Sequence, residues 1–246
     1  MTARVERVEL DRILPLRALH LEEMNRQVRY NACHERGWSD SYLLLWDGAE
    51  VGYASVKGRN ELTDRDAVFE YYMTPSHRRW AGRAFAAVLE ASGPSYLEAQ
   101  SNDPLMSSML YECGSGIFAD YILFEDGRTT DLPLGSGRFR PRRSDDPIGP
   151  DQGEYVLEYG GEVVAWGGFL LHYNPPFADL YMEVRADSRG KGYGALIVQE
   201  VKRAWHAAGR TPAARCRVSN QASRSTLLKA GMGVSGYMLT GDVKAR

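Results

Sequence analysis

Apolar positions along the chain alternate between a helical and an extended period. Ile13, Leu16, Leu19, Met24 and Val28 recur at helical spacing with charges between them, so residues 1 to about 30 are expected to be helical. Tyr42 to Trp46 then reads as a strand, Asp47-Gly48 as a hairpin turn and Val51 to Val56 as the return strand. Ala67 to Met73 is a further strand, followed by a helix through Phe85, Val88 and Leu89 and a strand over Tyr96 to Ala99. Asn102-Asp103-Pro104 opens a helix that ends near Cys113-Gly114, and Ile117 to Glu125 is the last strand of this half. From Asp126 to Gly153 the periodicity fails. Prolines at 133, 141, 147 and 150 among glycines and charges predict a linker, with one strand start at Arg138-Phe139-Arg140.

The second half repeats the first. Tyr155 to Tyr159, Gly160-Gly161 and Val163 to Phe169 form another strand, turn and strand, and Leu180 to Val184 reads as a buried strand. Tyr193, Ile197, Val201, Ala204 and Trp205 mark a helix that stops at Ala208-Gly209. Ala214, Cys216 and Val218 alternate with Arg215 and Arg217 as in a half-buried strand. A helix opens at Asn220, and Gly231 stops it. Trp46 to Ala54 aligns with Tyr159 to Gly167, Arg79-x-x-Gly82-x-Ala84 with Arg189-x-x-Gly192-x-Gly194, and Asn102 with Asn220. Three matches in the same order, each a little over one hundred residues apart, predict an internal duplication. The expected division is 1–127, a linker with a first strand over 128–152, and 153–246.

Composition narrows the class. A hydrophobic content of 43% and a charged content of 25% are ordinary for a globular protein, and a net charge of -2 over 246 residues gives no basic footprint for nucleic acid. Cys33, Cys113 and Cys216 are isolated, without metal-ligand spacing, and point to a reducing compartment. No signal-like start and no apolar run of membrane length are present, so the expected location is cytoplasmic, with no membrane partner.

The chemistry concentrates between Val184 and Ala195, where a strand passes through a glycine-rich turn into a helix. Gly190, Gly192 and Gly194 remove side chains where a ligand must approach the backbone, and a helix N-terminus suits a phosphate or pyrophosphate. Arg189 and Lys191 add positive charge. The P-loop pattern is absent, and the loose dinucleotide fingerprint at Gly190, Gly192 and Ala195 lacks its acidic ribose partner. The segment Arg189-x-x-Gly192-x-Gly194 resembles the acyl-CoA pyrophosphate loop of the GCN5-related N-acetyltransferase (GNAT) superfamily. Asn220-x-x-Ser223 with Lys229-x-Gly231 resembles that family's second motif.

The resemblance implies an α/β (α+β) fold of two tandem GNAT domains, each a mixed, mostly antiparallel twisted sheet with flanking helices. It implies acetyl-CoA or another acyl-CoA as co-substrate, and no metal. Pantetheine would pair with the main chain of Met182 and Val184. The pyrophosphate would lie on Arg189, Gly190, Lys191, Gly192, Tyr193, Gly194 and Ala195, and Asn220 and Ser223 would border the donor. The first half carries Trp80-Ala81 in place of Gly190-Lys191 and Ala84 in place of the last glycine, so the donor is expected in the second half only.

The implied reaction is direct attack of an amine on the thioester, which requires a base. Asp179 is the preferred base and Glu183 the second candidate. The two share a face of a regular strand, unless the bulge common in the family's fourth strand breaks their parity. Glu70 in the first half is the next candidate. The family's tyrosine acid would fall at Leu227, a departure that leaves Tyr181 or Tyr173 as an acid, or departure of an unprotonated thiolate. The loop His172 to Phe177 precedes the strand and is a candidate wall of the acceptor site. The expected partner is a small-molecule or peptide amine, and the chain a monomer or homodimer. Two other readings stay open: a CoA-binding module without catalysis, and a tandem transferase drawing on an acyl carrier protein or aminoacyl-tRNA.

Overall fold

The computed structural model describes residues 3–27, 31–149 and 152–245. Contacts divide the chain into two compact units, Met1–Asp120 with Gly236–Arg246, and Tyr121–Ser235. The first opens on a strand, β1 (Ala3–Val8), not on the expected helix. Ala3 and Val5 alternate with Arg4 and Glu6, and this short period-two run pairs antiparallel with β2 (Ser39–Trp46), Val5 opposite Leu44. The helix α1 begins only at Leu10 and ends at Met24; it buries Ile13, Leu16 and His20 but leaves Leu19 exposed. Val28 lies outside the described residues. A short helix α2 (Asn31–Glu35) leads into β2.

Asp47 at φ 49° and Gly48 at φ 87° make the tight turn between β2 and β3 (Ala49–Lys57), the positive-φ pair that a two-residue hairpin requires. The strand β4 (Ala67–Met73) is buried throughout. A 3-10 turn over Pro75–Trp80 precedes α3 (Ala81–Ser92), which stops at left-handed Gly93. After β5 (Tyr96–Gln100), the helix α4 (Pro104–Cys113) is capped by Asp103, whose carboxylate accepts from the Met106 N–H at 3.1 Å.

The sheet of the first unit runs β1-β2-β3-β4-β5 and is completed by the far end of the chain's last strand, β12 (Met232–Val243). Leu239 of β12 lies opposite Ala99 of β5 in an antiparallel ladder. The chain's last residues therefore group with the first unit, where the sequence reading assigns them to a domain 153–246. Conversely, β6 (Gly114–Asp126) enters the second unit at Tyr121 rather than ending a domain at 127. A strand belongs to the ladder it completes, and that ladder is non-local.

The second unit continues with β7 (Arg138–Pro141), β8 (Tyr155–Tyr159), β9 (Glu162–Leu170), β10 (Phe177–Val184), α5 (Tyr193–Ala207), β11 (Thr211–Arg217) and α6 (Gln221–Lys229). Its strand order is β6-β11-β10-β9-β8-β7, antiparallel except between β10 and β11; in the first unit β4 and β5 are likewise the parallel pair. Gly160 and Gly161, at φ 60° and 84°, close the β8–β9 hairpin. Buried Ile197, Val198 and Val201 turn the apolar stripe of α5 onto a sheet that buries Val164, Phe169 and Leu180.

The stretch expected as a linker is stitched to α5. Lys202 Nζ donates to the carbonyls of Arg128 and Ala230, each at 3.0 Å, and lies 2.5 Å from Asp126 Oδ1. The Gln199 amide exchanges two hydrogen bonds with the main chain of Leu132, and Tyr159 donates to the Leu134 carbonyl at 2.6 Å. Apart from the Asp126 carboxylate these partners are backbone groups, which no composition rule would single out. Farther on, the Arg140 guanidinium donates to both oxygens of Asp146, at 2.6 and 2.8 Å, and to Glu158 at 2.9 Å.

The Arg140 hydrogen bonds draw the Asp146 carboxyl down to about 2. A carboxylate depressed on folding stabilises the fold above its unfolded pKa of about 3.9, and that contribution is lost as pH falls through the folded value. Wild-type stability is therefore expected to drop more steeply than that of Asp146→Asn between about pH 4 and pH 2, the two curves converging at the acid end. Denaturant unfolding at stepped pH reads this; parallel curves would remove the pair from the account.

Candidate functional site

Along one edge, β10 is joined to β9 in an unbroken register from Asp179 opposite Leu170 to Val184 opposite Ala165. Along the other it pairs with β11 only over Phe177–Asp179. Both strands continue past that point, so they part, and the backbone of Leu180 to Val184 edges a cleft.

The cleft opens into a cavity of about 620 Å³. One wall is Met182, Glu183 and Val184 of β10. A second is the turn and first turn of α5: Arg189, Gly190, Gly192, Tyr193, Gly194 and Ala195. Asn220, Ser223, Thr226 and Lys229 of α6 close the third. A smaller cavity of about 230 Å³ lies at the fork, lined by Asp179, Leu180 and Tyr181 of β10, Ala214 and Arg215 of β11, and Leu227 of α6. Met182 and Ser223 border both cavities.

The turn is built for bare backbone. Gly190 and Gly192 have φ of 78° and 89°, a region that strains any L side chain. An added Cβ at Gly190 would meet nothing within 4 Å, and at Gly192 only Lys229 Nζ, at 3.8 Å. Gly192 is also the residue before α5, so the unsatisfied N–H groups and positive dipole end of the first helical turn lie at this wall. Gly194 serves packing: a Cβ there would lie 3.0 Å from Thr226 Cγ2, so a side chain at this position would crowd α5 against α6.

Most predicted donor residues meet at this cavity. Arg189 lines it and donates from Nε to the Val184 carbonyl at 3.2 Å. Tyr193 borders it while its ring packs on Tyr159, centroids 4.6 Å apart. Asn220 caps α6, its Oδ1 accepting from the Ser223 N–H at 3.0 Å, so the local capping role is observed. Lys191 is exposed and outside the lining, and Lys229 supplies a cation in its place. Lys229 was legible as the lysine of Lys-x-Gly; what pointed to it was its motif rather than its charge.

The unbroken β9–β10 register keeps Asp179, Tyr181 and Glu183 on one face, so the parity-breaking bulge is not in this ladder. Their surroundings differ. Asp179 is 7% exposed, with His172 Nε2 at 3.0 Å and Arg215 Nε at 3.9 Å from its Oδ2. Glu183, four residues on and so about 13 Å along the strand, is exposed at the mouth of the larger cavity. The Tyr181 hydroxyl leans toward β9, 3.1 Å from where a Cβ on Gly168 would sit. Leu227, where the resemblance would place a tyrosine, is buried at the fork. His172 and Arg215 join Asp179 through a loop and a neighbouring strand, contacts that spacing along the chain does not encode.

The corresponding turn of the first unit carries the bulky Trp80 in place of a glycine. Trp80 stacks on Trp46 at 4.8 Å, and the Arg79 guanidinium lies 3.9 Å over Trp80. Glu70 is a core residue rather than an accessible base, 1% exposed, with Arg17 Nε at 3.2 Å, His34 Nε2 at 3.1 Å and the Tyr53 hydroxyl at 3.0 Å. Among the described residues, no cluster of three His, Cys, Asp or Glu side chains is arranged to hold a metal, and no helix is long and apolar enough to cross a membrane.

Residues 111–232 match the family profile described as Acetyltransferase (GNAT) family. No curated protein matches the chain in sequence. Among solved structures, an acetyltransferase from the GNAT family of Colwellia psychrerythraea is similar at TM-score 0.76 and 12% identity, over 98% of this chain and 100% of the other. A GCN5-related N-acetyltransferase from Sphaerobacter thermophilus is similar at TM-score 0.57 and 15% identity, over 99% and 96%. A tandem GNAT protein from the clavulanic acid biosynthesis pathway, solved without AcCoA, is similar at TM-score 0.57 and 14% identity, over all of both chains. At such identities the likeness is one of fold. A sequence match over residues 111–232, joined to that fold, gives good support to membership of the chain in the GNAT superfamily.

Proposed function

We propose that the protein is an acyl-CoA-dependent N-acyltransferase, built of two GNAT domains in tandem, that holds its donor in the second unit. The observation that carries this reading is the parting of β10 from β11 beside a bare, cationic helix N-terminus. The donor's pyrophosphate fits backbone that a Cβ at Gly190 or Gly192 would obstruct, with Arg189 and Lys229 beside it. The amides of pantetheine fit the open edge of β10 at Met182 and Val184. At the equivalent turn of the first unit Trp80 stands where the second unit has Gly190, stacked on Trp46 with Arg79 over it, in place of bare backbone. The repeated element order, β-hairpin, strand, turn, helix, strand, helix, supports duplication.

Bound acetyl-CoA, or another acyl-CoA, supplies a thioester whose carbonyl carbon the acceptor amine attacks, so that the C–N bond forms, the C–S bond breaks and CoA leaves as the thiol. Asp179, at the fork, takes the proton the amine must lose, with His172 positioned to share it. Glu183 lies at the phosphate end and is not assigned to proton transfer. The second reading, a CoA-binding module without turnover, draws on the apolar Leu227 where the family has its tyrosine. Release of thiol from acetyl-CoA against an amine panel separates the two.

Two expectations follow from this assignment. Titration calorimetry should find CoA binding intact in Gly82→Val and lost in Gly192→Val. Because any side chain at Gly192 is also strained, Lys229→Met and Arg189→Ala provide unstrained tests. Each should raise the donor KM more than it lowers kcat, and should flatten the salt dependence of donor binding. Binding lost in Gly82→Val alone, with the fold intact, would move the donor to the first unit.

For the base, Asp179→Asn should lower kcat by roughly 10²–10⁴-fold with CoA affinity within a few-fold, and Glu183→Gln should lower it less. Near-native kcat in Asp179→Asn would remove Asp179 from proton transfer.

A further inference from the structure

We propose that the donor's acyl group is a short apolar chain, propionyl to pentanoyl in size, rather than acetyl or a carboxylate-bearing acyl, and that Leu180, Ala214 and Leu227 select it at the fork. This rests on the reading that the donor lies along β10, and it names the class of donor for that site.

Strand alternation sorts the lining of the fork cavity into two walls. Leu180 lies opposite Phe169, whose ring packs on Trp205 of α5 with centroids 4.6 Å apart, so Leu180 faces the helices. Val184 faces them too, its Cγ2 3.5 Å from where a Cβ on Gly194 would sit. Met182 stands between the two in an unbroken ladder and shares their face. On β11, Ala213 pairs with Asp179, which puts Ala214 on the helix face and Arg215 on the other. With Leu227 of α6, the helix-side wall is apolar, and Leu180, Ala214 and Leu227 are all buried. The opposite wall carries Asp179, Tyr181, Arg215 and Tyr121. Its charges are engaged with one another and with the ring: Arg215 Nε lies 3.9 Å from Asp179 Oδ2, and the guanidinium carbon 5.3 Å from the Tyr121 centroid.

The path of the donor decides which wall the acyl group meets. The larger cavity lies on the helix side of β10, between that strand and the ends of α5 and α6, and Met182 and Ser223 border both cavities. Pantetheine beside Met182 therefore carries its thioester past Ser223 onto the apolar wall, while the amine approaches from the side of Asp179. The fork cavity holds about 230 Å³. A water, a molecule of about methyl size, takes up ~30 Å³ of liquid. An acetyl methyl would leave most of the wall uncovered, against water that finds no hydrogen-bond partner on Leu180, Ala214 or Leu227. A few methylenes cover it. A carboxylate at the end of the chain would be desolvated against these side chains, with no cation on that wall. The same volume, shared with the acceptor amine, sets the upper limit on chain length.

The test is calorimetric titration of the full chain with CoA, acetyl-CoA, butyryl-CoA, hexanoyl-CoA and succinyl-CoA. Each buried methylene is worth about fourfold in affinity, so butyryl-CoA should bind roughly fifteenfold more tightly than acetyl-CoA. Succinyl-CoA should bind no more tightly than acetyl-CoA. Leu227→Phe fills the wall and should bring the butyryl-to-acetyl ratio toward one. Leu227→Ala deepens it and should move the preference to hexanoyl-CoA. Binding of free CoA, which does not reach the wall, checks that each variant is folded. Acetyl-CoA binding as tightly as butyryl-CoA, succinyl-CoA binding more tightly than either, or a preference unmoved in both variants would each overturn the proposal. CoA binding without any preference for butyryl would remove the acyl pocket and leave the transferase reading standing, whereas a chain that binds no CoA species at all would contradict both.

Discussion

The incomplete pairing of β10 with β11 is the constraint on which the second unit depends. A parallel pair that ran its full length would close the sheet and leave no cleft. Here the ladder stops at Asp179, while β9 holds the other edge of β10 to its end. The glycines of the turn then have a purpose beyond turning the chain, because the backbone they leave bare faces the opening. At Gly194, α5 and α6 come close enough that a methyl group would crowd Thr226. The same packing sets Lys229 over Gly192.

A cleft of this kind works only if its walls hold still. The strap from Asp126 to Leu134 bears on this. It is tied to α5 by Lys202 and Gln199, and to β8 by Tyr159. Lys202 is almost wholly buried, and its ammonium is satisfied by two carbonyls and Asp126. Burying a charge is tolerable only when it is paired and hydrogen-bonded in this way. A segment whose composition reads as a linker thus becomes a brace for the helix whose N-terminus faces the cavity.

Much of this was legible in the sequence, and what was not has a physical reason. Strands with clear alternation, such as Tyr155 to Tyr159, and the glycine turn at Gly190 to Gly194 declare themselves locally. The opening strand was hidden because Val5 and Val8 fit a helical stripe as well as a ladder with β2. The partner of the last strand was hidden because nothing in Leu239 names Ala99. Similarly, Asp179 stood out as an early carboxylate on the strand, but His172 and Arg215 reach it only through folding. Lys229 outranks Lys191 at the cavity because the helix, rather than the turn, aims the ammonium inward.

The proposed donor lies along β10, with its phosphates on the turn that begins α5. A crystal structure of the protein grown with acetyl-CoA tests it most directly. The expected result is pyrophosphate density over Gly190 to Gly194, pantetheine beside Met182 and Val184, and the thioester next to Asp179. Donor density at Arg79 to Ala84 of the first unit, with the cleft between β10 and α6 empty, would contradict it.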